Sequence, residues 1–320
     1  MKLPFVLSYL GIILETFGIL LLLPNMVAWA YGEATFLPFF VAAIISFISG
    51  IFLEKRFERG ELNLASAMLL SALAFIVISL IGSIPYLGYT SPLNAIFESF
   101  SGFTTTGLTI FVPEVLPHSI LFWRSLTQWI GGLGIVVIFL LLMSSPGMSA
   151  FYIYEAERSG QKVEANVYRS VKKIAMIYSF YTVIGIILLL IAGMPIFDSL
   201  TTMFSTISTG GFTVSSKSIA YYNNPLIEVM LVIFMIIGAT SFFIHNKLFR
   251  KDIMYYIKNP ETRIFWMLAI IFSILLTLSF LSSPEALRHG IFHTFSALTT
   301  TGFTNTSGSI PELSMFLIII

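Results

Sequence analysis

Three stretches of the chain repeat one pattern of residues suited to holding a dehydrated cation. They are FSGFTTTGLT at residues 100–109, FSTISTGGFT at 204–213 and FSALTTTGFT at 295–304. Each is centred on a glycine, Gly107, Gly211 or Gly302, and these glycines lie 104 and 91 residues apart. The chemistry such a segment serves is that of an ion filter, in which backbone carbonyls replace the water around the ion. Glycine reaches the backbone angles that turn carbonyls inward, and threonine adds a hydroxyl oxygen. A repeat of about one hundred residues has room for whole helices, so repetition about an axis would supply a ring of ligands.

The elements that must position these segments are membrane helices. Hydrophobic residues make up 57% of the 320 and charged residues 10%, against roughly a quarter charged in soluble domains. There is no cysteine, which excludes disulfides and thiolate metal sites. Apolar runs long enough to cross about 30 Å of hydrocarbon are expected at about residues 4–30, 36–53, 64–87, 120–143, 174–194, 225–244 and 264–281. Each Thr/Gly segment follows a shorter apolar stretch, 94–102, 198–207 or 289–298, which reads as a re-entrant half-helix. Asn94 and Asp198 suit its N-cap, and His289 occupies the aligned position. The negative end of each half-helix then faces the filter and favours a cation. Phe100, Phe204 and Phe295 read as wedges that lock these helices.

Basic residues give the orientation. Fourteen of the 17 Lys and Arg residues fall on one side: Lys2, Lys55, Arg56, Arg59, Arg158, Lys162, Arg169, Lys172, Lys173, Lys247, Arg250, Lys251, Lys258 and Arg263. That side is cytoplasmic by the positive-inside rule, so the filters enter from outside. Ionisable residues within the apolar regions are Glu15, which reads as a structural hydrogen bond or hairpin contact rather than an ion site, and Glu98 with Arg124, which read either as a pair behind the first filter holding its half-helix in place or, for Arg124, as a snorkelling side chain. Gly131, Gly132 and Gly134 read as packing glycines. His118, His245, His289 and His293 show no metal-ligand spacing, and no Walker A pattern is present. Neither an enzyme nor a cofactor or nucleic-acid partner is expected.

With these segments and with FWRSLTQWIGGLGIVV at residues 122–137, the chain resembles the TrkH/KtrB superfamily of potassium uptake proteins, TrkH branch, over essentially its whole length. The resemblance implies an all-α polytopic membrane protein: an N-terminal two-helix hairpin (1–60), then helix/pore-loop/helix repeats at 61–165, 166–258 and 259–320, arranged pseudo-symmetrically about a central ion pore. The third repeat is expected to be truncated in its second helix and the fourth to be absent. Ion coordination is implied for Thr105, Thr106, Gly107 and Leu108, for Thr209, Gly210, Gly211 and Phe212, and for Thr300, Thr301, Gly302 and Phe303. The glycines favour potassium, with some passage of sodium. The resemblance further implies a multi-pass protein of the cytoplasmic (inner) membrane, a homodimer, and a cytosolic nucleotide-binding subunit of the TrkA/KtrA type. That subunit would dock on residues 144–173 and the basic loop 247–263. The alternative is a truncated, non-conducting paralogue or fragment that assembles with a complete transporter.

Overall fold

The computed structural model describes residues 3–60, 62, 64–143, 167–249, 252–281 and 283–306. Most of the expected docking segment 144–173 and the apolar run 310–320 lie outside the described residues. Among those described, all regular structure is helical. The chain divides into two compact units, one of residues 1–104, 108–110 and 116–175, the other of residues 105–107, 111–115 and 176–320.

In the first unit the first expected span is broken. α1 (Leu3–Leu20) and α2 (Leu23–Ala30) are separated by a turn, and a proline, Pro24, opens α2, where its missing N–H costs no hydrogen bond. α3 (Phe36–Arg56) lies against α1 at a glycine crossing. A Cβ on Gly11 would stand 2.7 Å from the Gly50 carbonyl oxygen, and one on Gly50 2.8 Å from that of Gly11. Ser46 Oγ donates to the Leu14 carbonyl at 2.6 Å across the same contact. Glu15 sits here against Gly50, as expected for a hairpin contact.

α4 (Leu64–Gly82), α5 (Pro92–Phe103) and α6 (His118–Met143) complete this unit. The Glu33 carboxylate accepts the first amides of α6, from His118 N at 2.6 Å and Ser119 N at 3.0 Å. This places negative charge where a helix N-terminus stabilises it. Phe103, at the end of α5, is fully buried among Phe17, Phe39 and Trp123, whose rings stand about 6 Å apart edge-on or tilted. The deepest wedge of this short helix is therefore Phe103, while Phe100 is half-buried.

In the second unit, α7 (Val167–Ile191), which begins within the first, leads to α8 (Ile196–Ile207), α9 (Pro225–Ala239), α10 (Phe242–Phe249), α11 (Ile253–Lys258), α12 (Pro260–Ser279) and α13 (Ala286–Leu298). The span expected at 225–244 is interrupted at Thr240, whose backbone is extended with ψ 135°. Five described helices, counting α1 and α2 together, are long and apolar enough to cross a membrane, and α9 is a shorter apolar helix.

The short helices α5, α8 and α13, of 12, 12 and 13 residues, stand where re-entrant half-helices are expected, but they start earlier. Their N-caps are Ser91, Pro195 and Glu285, so Asn94, Asp198 and His289 lie inside the helices and cap nothing. Pro92, at the first helical position, sets the first start, because its fixed φ suits a helix entry, and Pro195 stands just before the second start as its N-cap.

Gly50→Val should force α1 and α3 apart and cost about 1–3 kcal/mol, the usual penalty for overpacking. Thermal unfolding of the purified protein checks this, with Gly88→Val, beside which no atom lies within 4 Å, as the neutral control.

Candidate ion-coordinating site

Each short helix runs directly into a Thr/Gly segment through a C-cap residue, Thr104, Ser208 or Thr299. The same backbone twist follows all three. Thr105, Thr209 and Thr300 have φ of 53°, 52° and 58°, and Gly107, Gly211 and Gly302 have 77°, 80° and 83°, while the residue between keeps negative φ. A β-branched residue in the left-handed region costs about 1–2 kcal/mol and persists only where its surroundings impose it. What imposes it is visible in the amides. Thr209 N and Gly210 N donate back to the Thr206 and Ser205 carbonyls at 3.0 and 2.8 Å, and Thr300 N and Thr301 N to those of Ala297 and Ser296 at 2.9 Å each. With the N–H groups tied to the preceding helix turn, the carbonyl oxygens of the same peptides face the other way.

Within the second unit the segments meet in succession. A Cβ on Gly107 would lie 2.1 Å from the Gly210 carbonyl oxygen, and one on Gly211 would lie 1.9 Å from that of Thr301. Gly107 and Gly211 thus each leave room for the carbonyl that precedes the next filter glycine. Beside Gly302 no described atom lies within 4 Å. The carbonyls of Leu108 and Phe303, the residues after the first and third glycines, accept Ser101 Oγ and Ser296 Oγ at 2.5 and 2.7 Å. They frame the segment from behind, while Ser205 Oγ, at the equivalent position of the second, has no partner among the described residues.

Side chains brace these loops. Arg124 Nε donates to Glu98 Oε1 at 2.8 Å, with both side chains buried to within 1%. Thr109 Oγ1 and Ile110 N also donate to Glu98, at 2.8 and 3.1 Å, and Arg124 Nη2 reaches Thr109 Oγ1 at 2.9 Å. The structure brings together the two residues paired on the sequence and adds the stretch just past the filter. Gly131 serves the same place: a Cβ there would stand 2.0 Å from the Phe103 carbonyl oxygen. Gly238 in α9 repeats the relation with Ile207 at 2.6 Å. The histidines are spent on local contacts: His118 stacks on Tyr31 at 3.9 Å, and His293 on Phe280 at 5.5 Å. No cluster of His, Asp and Glu able to hold a metal ion exists among the described residues.

Comparison with known proteins meets this geometry at the family level. A family profile, TrkH, described as cation transport protein, matches residues 36–288. The chain belongs to the TrkH family of cation transport proteins. It is 37% identical to an uncharacterized cation transporter of Methanocaldococcus jannaschii over 98% of its own length and 66% of that protein's. It is 33% identical to the Trk system potassium uptake protein TrkH of Halomonas elongata, over 95% of this chain and 67% of that one. The crystal structure of the potassium transporter TrkH from Vibrio parahaemolyticus superimposes with a TM-score of 0.87 at 28% identity, covering 99% of this chain and 69% of that one. The chain thus spans about two thirds of the length of these relatives. Members of the TrkH family are transporters rather than enzymes, and this one is a multi-pass membrane protein.

This TrkH-family chain carries a second brace that the sequence reading missed. Glu228 in α9 accepts Arg288 Nε at 2.9 Å and Nη2 at 2.6 Å, a two-pronged contact, and Asn305 Nδ2 at 2.8 Å. Asn305 stands three residues after Gly302, as Ile110 stands three after Gly107, so both braces grip the same point of the loop. The polarity is reversed: in the first the carboxylate lies on the short helix, in the second the guanidinium does. An intramembrane Glu in PLIEVM was the available signal. Between the loops that follow the first two filters, Glu114 Oε1 accepts Ser216 N at 2.7 Å, Ser216 Oγ at 2.8 Å and Ser215 Oγ at 2.9 Å. Burial works to raise the Glu114 carboxyl, but these bonds outweigh it and hold it down at about 2.

Two outcomes are expected. Glu98→Gln leaves Arg124 charged, buried and without its carboxylate, at a cost of about 3–5 kcal/mol. Glu228→Gln costs less, because Arg288 is 18% exposed and keeps Glu285 at 2.7 Å. Thermal unfolding of both variants, with Arg124→Met added to Glu98→Gln to complete a double-mutant cycle, measures the difference. The Glu114 brace has a depressed carboxyl, so its stabilisation is complete above the ordinary carboxylate range near 4.5 and is lost as pH falls toward about 2. The protection of the Ser216 amide against hydrogen exchange, taken relative to the intrinsic rate at each pH, should hold down to about pH 4 and fall as pH drops toward about 2.

Proposed function

We propose that this chain forms the filter-bearing part of a potassium uptake protein, with filter loops entering from outside the cytoplasmic membrane and uptake driven by the membrane potential, about 2.3 kcal/mol per charge per 100 mV. The observation that carries this reading is the succession in which Gly107 accommodates the Gly210 carbonyl and Gly211 that of Thr301, on backbones of the same alternating twist. The relatives named as Trk potassium uptake proteins supply the ion. In this reading the ligands are backbone carbonyls of Thr105, Thr106 and Gly107, of Thr209, Gly210 and Gly211, and of Thr300, Thr301 and Gly302. Leu108, Phe212 and Phe303 complete the three coordinating segments, with the Leu108 and Phe303 carbonyls steadied by Ser101 and Ser296, and Glu98 with Arg124 holds the first segment in register. The C-terminal ends of α5, α8 and α13 add negative potential beside them.

The proposed activity belongs to a protein in which a further filter segment stands on the open side of Gly302 and closes the ring. Irregular backbone at membrane depth is tolerated only when enclosed by protein or lining a cavity. A repeat organisation at 61–165, 166–258 and 259–320, a homodimer and a cytosolic nucleotide-binding subunit belong to the same proposal.

The test is ion uptake by the complete protein in vesicles, comparing potassium, rubidium and sodium. The unmodified protein should take up potassium and rubidium in preference to sodium. Gly107→Ser and Gly211→Ser each push a side chain into a neighbouring filter carbonyl and should lower potassium selectivity about tenfold or more, which corresponds to about 1.4 kcal/mol of discrimination. Gly302→Ser should match them if a further segment closes the ring. Unchanged selectivity in all three variants would sink the reading.

A further inference from the structure

Along one side of α12, Arg263, Trp266, Met267 and Ile270 follow at the i, i+3, i+4, i+7 spacing of a single helix face. That face is left open: Trp266 is 38% exposed, Met267 54% and Ile270 61%. With Tyr256 and Ile257 of α11 it walls an open groove of about 530 Å³. The chemistry changes along the groove. At its mouth Arg263 Nε donates to the Ile257 carbonyl at 3.1 Å, which fixes the guanidinium while its two Nη nitrogens have no partner among the described residues. Lys258, the last residue of α11, adds a second positive charge on the same short connection. Next comes an aromatic pair, with Trp266 Nε1 donating to Tyr256 Oη at 2.9 Å. Beyond it the wall is aliphatic, and Ile270 lies about 10 Å deeper than Arg263 at 1.5 Å per residue.

Cation, then amphipathic aromatic, then aliphatic surface is the polarity profile of half a bilayer. Basic side chains meet headgroups, Trp and Tyr sit at the interface, and methylenes lie below. We infer that this groove binds one anionic phospholipid of the cytoplasmic leaflet, its phosphate held by Arg263 and Lys258, its glycerol region by Trp266 and Tyr256, and one acyl chain along Met267 and Ile270. Arg pairs with phosphate through two parallel N–H donors, and the free Nη atoms are those donors. The leaflet assignment rests on the orientation proposed above. The site also touches the third filter element, because the Trp266 ring packs edge-on against Phe295 of α13 at 5.9 Å. A lipid seated here braces the helix that leads into residues 300–302.

The experiment uses the full-length protein reconstituted in phosphatidylcholine, with and without phosphatidylglycerol, and reads lipid retention by native mass spectrometry together with thermal unfolding. Phosphatidylglycerol should be retained and should raise the unfolding temperature. Arg263→Gln should weaken retention about fivefold, the effect of one basic residue at an anionic surface. Arg263→Lys, which keeps the charge and loses the two-pronged contact, should fall between that variant and the unmodified protein, and both variants should unfold like the unmodified protein in phosphatidylcholine alone, which separates headgroup binding from folding. Trp266→Ala should lower retention of both lipids without changing the preference between them. Equal retention of the two lipids, or retention unaffected by Arg263→Gln, overturns the inference. So does inorganic phosphate that stabilises the protein in phosphatidylcholine as well as phosphatidylglycerol does, since the site then takes a free anion. None of these readouts depends on ion uptake. Lys258→Cys, introduced among 320 residues that hold no cysteine, should be modified from the inner side. Modification from outside would remove the cytoplasmic-leaflet assignment while leaving the headgroup result intact.

Discussion

A peptide plane has two sides, and a filter can turn its oxygens toward an ion only where the matching N–H groups are satisfied behind it. In the second and third segments those amides bond back into the last turn of α8 and α13. Two left-handed residues with one residue of negative φ between them are the backbone's way of doing this. The strain at Thr105, Thr209 and Thr300 is therefore tied to the direction of the carbonyls. The same constraint explains why glycine stands where the loops meet: the space a Cβ would occupy is filled by the next segment's carbonyl oxygen. Conformation and crowding independently demand the same residue.

Loops built this way have few contacts of their own and depend on what lies behind them. In a low-dielectric setting an uncompensated charge is expensive, which makes a fully paired carboxylate a strict positional constraint. Glu98 has three different donor groups, from Arg124, Thr109 and Ile110, and Glu228 is held by Arg288 and Asn305. The reversal of sign between the two braces shows which feature matters. Either helix can carry the acid, provided that the ion pair also captures the residue three beyond the glycine.

How much of this could be read from the sequence follows from how local each feature is. The Thr/Gly segments were legible because their residue types answer a backbone requirement within four residues. The half-helices were legible through their length, whereas their starts were misplaced because Pro92 and Pro195 outweigh polar caps such as Asn94 and Asp198. The Glu98–Arg124 pair was legible as two ionisable residues near one end of the same repeat. Glu228 has its partners 60 and 77 residues away on other elements, and nothing in its neighbourhood names them. Breaks within spans were hidden for a different reason: hydropathy averaged over twenty residues does not register a turn at Leu21–Leu22 or an extended Thr240.

The break after α9 shows how an interruption survives in a region without water. Ending a helix early leaves carbonyls that nothing in hydrocarbon can satisfy. Thr240 Oγ1 donates to the Ile236 carbonyl at 2.6 Å, and His245 Nε2 lies 2.9 Å from that of Ile237. A carbonyl can only accept, so Nε2 carries the hydrogen, and Nδ1 is left to accept from Tyr181 Oη at 3.2 Å. His245 is satisfied on both sides as a neutral ring, buried to 3% exposure. A histidine without ligand spacing in the sequence thus has a structural use: the Ile237 carbonyl, which the Thr240 amide reaches at 3.2 Å, gains in His245 a second donor where the helix ends.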